Sequence, residues 1–300
     1  MRLDVALVRL HPDLSRRKAR DVITKGQVTV DGGLVREPGH SVGPDAVLAW
    51  DSNRRALPSA RLALTSLYED EHVLVVDKPS GLLAVPTSQE ARDDEDTALR
   101  RVREYVRRLR PRRPYVGLVH RIDRDTSGAL AFALSPDARS GLIDAFRDHR
   151  IERRYVALVA GAPRASEGVV DAPLRESYVS GRRGVARRGE PAREAVTRWR
   201  VLERFPRGAL LEIALETGRQ HQVRVHLAHA GLPVLGDHVY GGKVRPPVKV
   251  ARQMLHARTL AFAHPLTGEP VRAESPLPED FARALEALRR TASVPRRTGV

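Results

Sequence analysis

"HRIDRDTSG", residues 120–128, stands between two apolar segments, "YVGLV" at 115–119 and "ALAFAL" at 129–134. Both flanks read as buried strands, so the turn between them places two carboxylates, two guanidiniums and an imidazole where one strand hands over to the next. Groups of that kind are costly inside a fold unless they are paired.

On the N-terminal side, "YEDEHVLVVDKPSGLLAV" gives an acidic turn, a strand from Val73 to Val76 and a stop at Lys78-Pro79, because proline cannot donate to a ladder. "ARDDEDTALRRVREYVRRLRPRRP" turns from acidic to basic and sets Leu99, Val102, Val106 and Leu109 at helical spacing. That pattern predicts a helix matched to its own dipole, with the densest positive run of the chain at Arg107 to Arg113. On the C-terminal side, Ser135-Pro136 opens a helix in which Leu142 and Phe146 lie one turn apart. "RRYVALVAG", "TRWRVLERF" and "ALLEIALETG" are strands, and two more strands flank a turn from Pro265 to Gly268 before a terminal helix. Many strands with scattered helices and no regular βαβ alternation predict an α+β domain over residues 62–288, built on a mixed, largely antiparallel sheet. Residues 289–300 are expected to be a disordered tail.

The first fifty residues form a separate small module. Leu3, Ala6, Leu7 and Leu10 recur at helical spacing, Ser15 caps a second helix with Ala19, Val22 and Ile23 inward, and Gly26 stops it. Arg16, Arg17, Lys18 and Arg20 charge that second helix, and "QVTVDGGLV" follows as a hairpin about Asp31-Gly32. Residues 51–61 have no clear period and read as a linker.

The chain of 300 residues is 41% apolar, enough for a real core, and carries 52 basic against 37 acidic residues for a net charge of +15. Lys18, Lys25, Lys78, Lys243 and Lys249 are its lysines, so the excess is arginine, whose planar fork matches phosphate. A biased genome also enriches arginine, but the clustering favours a polyanionic partner, nucleic acid before an anionic membrane. The absence of cysteine excludes disulfides, thiolate metal sites and a cysteine nucleophile. With no signal-peptide pattern and no apolar run near the roughly 20 residues of a spanning helix, a cytoplasmic protein is expected.

Two segments carry chemistry. After "ETG", Thr217 and Gln220 stand at capping-box spacing, Gly231 and Pro233 end the helix, and Val223, Leu227 and Ala230 make its core stripe. Arg224 shares a face with Gln220, Leu227 and Ala228 at the stripe's edge, so its guanidinium is expected to be half buried and to need a carboxylate. The turn around Asp123 supplies one. An aspartate facing an arginine is held ionised, which makes it a poor general acid and a competent nucleophile. On chemistry alone a structural ion pair is an equal reading.

"RLDVALVRLHPDLSRRKARDVITKGQVTVDG" resembles the S-four-type RNA-binding domain. "YEDEHVLVVDKPSGLLAVP", "HRIDRDTSG", "RRYVALVAG", "ETGRQHQVRVHLAHAGLPVLGDHVYG" and "LHARTLAFAHPLTGE" resemble, in order across residues 67–269, the RluA family of pseudouridine synthases. The resemblance implies that uridine in structured RNA is flipped out and isomerised, with ribosomal RNA of the large subunit as first substrate and a transfer RNA as second. Asp123 would be the nucleophile and Arg224 its basic partner. Tyr155 would stack near the base and assist deprotonation of its carbon five, and Asp125 would hold the turn. His120 and Arg121 would touch RNA, together with Lys78, Arg219 and the helix residues Arg16, Arg17, Lys18 and Arg20. No metal or other cofactor is implied, and a monomer is the default. Ile122, Arg154 and Gln220 depart from the residues usual in the family, and none of them removes a reacting group.

Other readings carry less. Of His221, His226 and His229 only the last two share a helical face, which argues against zinc. "GDHVYGGK" misses the phosphate-loop spacing and reads as a glycine-rich turn. A non-catalytic RNA-binding or assembly protein on the same fold is the alternative function.

Overall fold

The segments "VLVVDK" and "SGALAFA" alternate apolar side chains to two opposite faces, and a helix covers each. A computed structural model of the chain describes residues 1–35, 38–52, 64–88, 95–110, 114–179, 182–242, 244 and 246–293. Most of the expected linker, Arg112 and Arg113 of the basic run, Lys243, and residues 294–300 of the expected tail lie outside the described residues. The chain divides into two units, Met1–Ala63 and Leu64–Val300.

In the first unit, α1 (Leu3–Leu10) and α2 (Arg16–Thr24) pack on an antiparallel sheet of β1 (Val28–Val30), β2 (Gly33–Leu34) and β3 (Leu48–Trp50), in the order β2-β1-β3. Ser15 caps α2 as expected, its Oγ accepting from the Lys18 amide at 3.2 Å, and Leu3, Leu7, Ala19, Val22 and Ile23 are buried. Leu10, assigned to the core stripe, is exposed because α1 ends there, and β3 has no signal in the sequence reading.

The second unit contains β4 (Thr65–Glu69), β5 (Val73–Lys78), α3 (Ala98–Leu109), β6 (Gly117–Leu118), β7 (Ser127–Ala133), α4 (Pro136–Arg147), β8 (Glu152–Ala160), β9 (Glu167–Asp171), β10 (Leu174–Arg175), β11 (Ala192–Arg193), β12 (Val196–Phe205), β13 (Gly208–Leu215), α5 (Gln222–His229), β14 (Leu255–Ala263), β15 (Pro270–Glu274) and α6 (Glu279–Ser293). The large sheet runs β4-β5-β7-β14-β8-β13-β12-β9, with β6 on β7 and β15 on β14. The fold is α+β, and its sheet is mixed and largely antiparallel. Only β7 and β14 pair in parallel among the described strands, through Ser127 with His256 and Gly128 with Ala257.

Alternation decides what covers each face. Val73, Val75, Ala129 and Ala131 pack with Ala138 and Leu142 of α4, whereas Leu74, Val76, Leu130 and Phe132 pack with Leu99, Val102 and Val106 of α3. On the other half of the sheet, Ala157, Val159, Leu211 and Ile213 meet Val223 and Leu227 of α5, and Val156 and Leu158 meet Phe281, Leu285 and Leu288 of α6. Burying a side chain such as Leu142 or Leu158 contributes about 1.5–3 kcal/mol.

Several local expectations change. The strand expected at 115–119 is only Gly117–Leu118, and β4 and β9 are additional. The acidic residues expected at the start of α3 lie before its first turn, and Thr97 caps the helix by accepting from the Arg100 amide, while Asp96 pairs with Arg101 at 2.5 Å; Leu109 is exposed. The terminal helix continues through Ser293 and so takes in residues 289–293 of the expected tail. No described helix is long and apolar enough to cross a membrane.

Candidate active site

The turn 120–128 ends where the parallel strand pair begins, and close approach dictates its last residue. Gly128 has φ 116°, and a Cβ there would collide with the Ala257 carbonyl. No other residue type fits that position without moving β14. The preceding carbonyls are gripped from two sides. Lys78 Nζ donates to Arg124 O at 2.8 Å, Ser80 Oγ to Asp125 O at 3.1 Å, and Arg252 Nη1 to Asp125 O at 3.1 Å. Gln253 Nε2 donates to Thr126 Oγ1 at 2.9 Å. Asp125 takes part in holding the turn through its carbonyl, while its carboxylate pairs outward with Arg124.

This grip presents Asp123 to a cleft lined also by Arg121, Tyr155, Arg219, His221 and Arg224. Arg224 Nη1 donates to Asp123 Oδ2 at 3.0 Å, the pairing the sequence leads one to expect. A second carboxylate, unseen in the sequence, holds the rest of the guanidinium: Nε donates to Asp237 Oδ2 at 2.7 Å and Nη2 to Oδ1 at 2.9 Å. Burial works against the charge of Arg224, but Asp237 and then Asp123 outweigh it and raise its pKa. Burial likewise opposes ionisation of Asp237, and Arg224 together with the Tyr240 and Val239 amides lowers its pKa overall. The Tyr240 ring lies 4.9 Å under the Arg224 guanidinium.

The helix that carries Arg224, α5, starts later than a capping box at Thr217 and Gln220 requires. His221 precedes the first helical residue, and no side chain caps the helix. Thr217 Oγ1 instead donates to Gln222 Oε1 at 2.8 Å and accepts from the Val196 amide, which ties the loop to β12. Ala230, assigned to the helix stripe, is exposed, whereas Gln222 and His226 are buried. His226 spends both ring nitrogens on Thr197 Oγ1 and Ala172 O.

Tyr155 projects from β8 into the cleft and is 9% exposed. Burial pushes its phenol up to about 12; the Arg153 guanidinium pulls it down and Asp123 pushes it up. It is therefore a neutral phenol at physiological pH. Arg153 is buried beside it and donates to the Leu215 and Glu216 carbonyls.

The remaining expected site residues divide. Arg121 is exposed at the cleft, and Arg219 lines it while donating to Glu194 O at 3.0 Å. Lys78, expected to touch RNA, is fully buried and gives all three ammonium protons to the carbonyls of Pro79, Leu82 and Arg124. Burial lowers its pKa to about 7. It holds the Asp123 turn from inside. His120, also expected at RNA, turns inward: its Nε2 accepts from the Ala131 amide at 2.9 Å and its ring stacks on Phe146 at 4.7 Å. In the first unit Arg16, Arg17, Lys18 and Arg20 are exposed along α2, but Arg16 and Arg20 reach back to the buried Asp4, at 3.5 and 2.8 Å. Asp4 has its pKa lowered, first by its hydrogen bond from Arg2.

Comparison with known proteins gives the same pattern at larger scale. Residues 72–229 match the family model described as RNA pseudouridylate synthase, and residues 1–48 match that of the S4 domain. The chain is 37% identical over 302 residues to the ribosomal large subunit pseudouridine synthase D of Xanthomonas campestris pv. campestris, covering 96% of this chain and 89% of that protein. It is 38% identical over 306 residues to the protein of the same name from Pseudomonas aeruginosa, covering 96% and 92%. Among solved structures it is similar to human RNA pseudouridylate synthase domain containing 4, with a TM-score of 0.62 and 27% identity over 75% of this chain and 93% of that one.

Proposed function

The chain belongs to the RNA pseudouridylate synthase family, and from that premise we propose that it converts uridine to pseudouridine in large-subunit ribosomal RNA with Asp123 as the nucleophile. The relatives named for the large ribosomal subunit support the choice of RNA. The observation that carries the assignment of Asp123 is its carboxylate at the cleft, one oxygen neutralised by Arg224 at 3.0 Å.

The reaction cuts the bond from the ribose anomeric carbon to the base nitrogen, turns the base, and rejoins it through carbon five. Asp123 meets the electron-poor centre formed as the first bond breaks, and Arg224 pairs with one of its oxygens without covering both. Tyr155, neutral and apolar over most of its ring, packs against the freed base, and its hydroxyl assists loss of the carbon-five proton as a relay, passing its own proton to solvent as it takes that one. Extruding the uridine costs a few kcal/mol. Arg121 and Arg219 at the cleft, and α2 of the N-terminal module, offset that cost through phosphate contacts.

Asp123→Asn tests the reading. It should abolish pseudouridine formation on a large-subunit transcript and leave RNA affinity within about two-fold, since the phosphate contacts remain. Activity in that variant overturns the nucleophile. Mapping pseudouridines in total RNA with and without the gene tests the substrate, and a site lost from transfer RNA instead overturns the ribosomal assignment.

A further inference from the structure

His221 is left unused by this chemistry, yet the fold spends backbone strain on it. It has φ 60°, in the left-handed region that residues other than glycine enter at a cost. Of the other described non-glycine residues with positive φ, Asp31 closes a hairpin turn and His149 follows a helix end. His221 instead opens α5 in the wall of the cleft.

The strained backbone aims the imidazole between two groups. Its Nε2 lies 3.9 Å from Asp123 Oδ1, the oxygen that Arg224 leaves free. Its Nδ1 lies 2.8 Å from the Tyr240 hydroxyl, which also accepts from the Arg183 amide at 3.2 Å. An amide N–H only donates, so the hydroxyl proton is the one directed at Nδ1. That makes Nδ1 an acceptor and puts the ring proton on Nε2, facing Asp123. Burial lowers the pKa of His221 and keeps the ring neutral; Asp123 and Asp237 act in the opposite sense, and Arg224 and Arg183 in the same sense.

We propose that His221 is a positioning residue for Asp123, its Nε2–H holding the carboxylate oxygen that Arg224 does not, with Tyr240 setting the tautomer. The proposal rests on the reading of Asp123 as nucleophile. Active-site hydrogen bonds commonly tighten as the substrate is engaged, and a closure of about 1 Å brings Nε2 within donating distance. Held at both oxygens, the carboxylate cannot rotate about its Cβ–Cγ bond, and its remaining lone pairs stay directed into the cleft.

The test uses the full chain, RNA substrate, and the variants His221→Asn, His221→Gln, Tyr240→Phe and Asp123→Asn, with thermal stability measured alongside. Asparagine suits the left-handed backbone, but its amide ends where Nδ1 stands and falls short of Asp123. The glutamine amide nitrogen falls where Nε2 stands. His221→Asn should lower kcat by about 10- to 100-fold with KM and RNA affinity within about two-fold, the effect of a misplaced reacting group. His221→Gln should recover most of that loss. Imidazole 15N NMR should report His221 as the Nε2–H tautomer, and Tyr240→Phe, which keeps the ring under Arg224, should erase that preference. A His221→Asn enzyme with kcat near wild type, an equal rise in KM for both His221 variants, or an Nδ1–H tautomer overturns the proposal. Asp123→Asn separates the two claims. If it is active, the nucleophile reading fails and the role of His221 with it; if it is inactive while His221→Asn is unimpaired, only the role of His221 falls.

Discussion

Arg224 and Asp237 form a two-pronged ion pair, Nε to Oδ2 at 2.7 Å and Nη2 to Oδ1 at 2.9 Å, that leaves Nη1 to face Asp123. A lysine lacks the planar fork that holds both oxygens of Asp237 while a third N–H reaches Asp123. Arg224→Lys should therefore cost at least about ten-fold in kcat. Asp237→Asn keeps the shape and removes the anchoring charge. Breaking one side of a buried pair costs about 3 kcal/mol or more, which denaturant unfolding of the second unit will read. Unchanged stability and kcat in Asp237→Asn would remove Asp237 from the site.

Tyr155→Phe retains the packed ring and deletes the hydroxyl. If that hydroxyl relays the proton lost from carbon five, kcat should fall by about 100-fold, the low end for positioned acid–base catalysis, with RNA affinity unchanged. Release of tritium from RNA labelled at carbon five of uridine measures the step. Release within threefold of wild type would move proton removal to another group.

His120 predicts acid sensitivity. Burial, helped by Arg153, lowers its pKa from 6.5 to about 3, so between those values the unfolded chain binds a proton that the fold refuses. The stability from the neutral ring is complete above pH 6.5 and is lost as pH falls toward 3. His226 and His256 shift in the same direction, each chiefly through burial. Thermal unfolding at about pH 5 against about pH 7.5 should show a loss on the order of 2 kcal/mol from His120. His120→Gln, whose amide oxygen can accept from Ala131, should flatten that dependence; an unaltered pH profile would assign the loss elsewhere.

The basic residues of α2 should not behave alike. Arg17 is exposed with no acidic partner among the described residues, whereas Arg20 binds the buried Asp4 at 2.8 Å. Arg17→Ala should reduce the slope of log affinity against log salt by about 0.9 per duplex phosphate contact and leave thermal stability unchanged. Arg20→Ala should lower both. Equal stability in the two variants would mean that Asp4 does not depend on Arg20.

The sequence is most legible where one residue's chemistry constrains its neighbours. Ser15 announces α2, the alternation from Val73 to Val76 announces β5, and Arg224, expected half buried and in fact buried, demands carboxylates, of which Asp123 supplies one. What is missed depends on contacts distant in the chain. Asp237 sits in a glycine-rich turn with no period to mark it as a partner of Arg224. Lys78 beside Pro79 and Gly81 resembles an exposed phosphate ligand, and only the three carbonyls around it show otherwise. His120 is adjacent to Arg121 in sequence, yet one faces Phe146 and the other faces the cleft. The edge strands β3, β4 and β9 are short and mixed in polarity, so their formation depends on the strands they join.

The parallel pairing of Ser127 and Gly128 with His256 and Ala257 has a consequence for how the protein is made. Ser127 and His256, hydrogen-bonded at 3.0 Å, are 129 positions apart, and Arg252 and Gln253 clasp the same turn from a similar distance in the chain. Contacts of such long range form late, because loop closure must precede their reward. A nascent chain that has not yet extruded residues 252–263 thus lacks the clasp that fixes the Asp123 turn, and the cleft is complete only after they emerge.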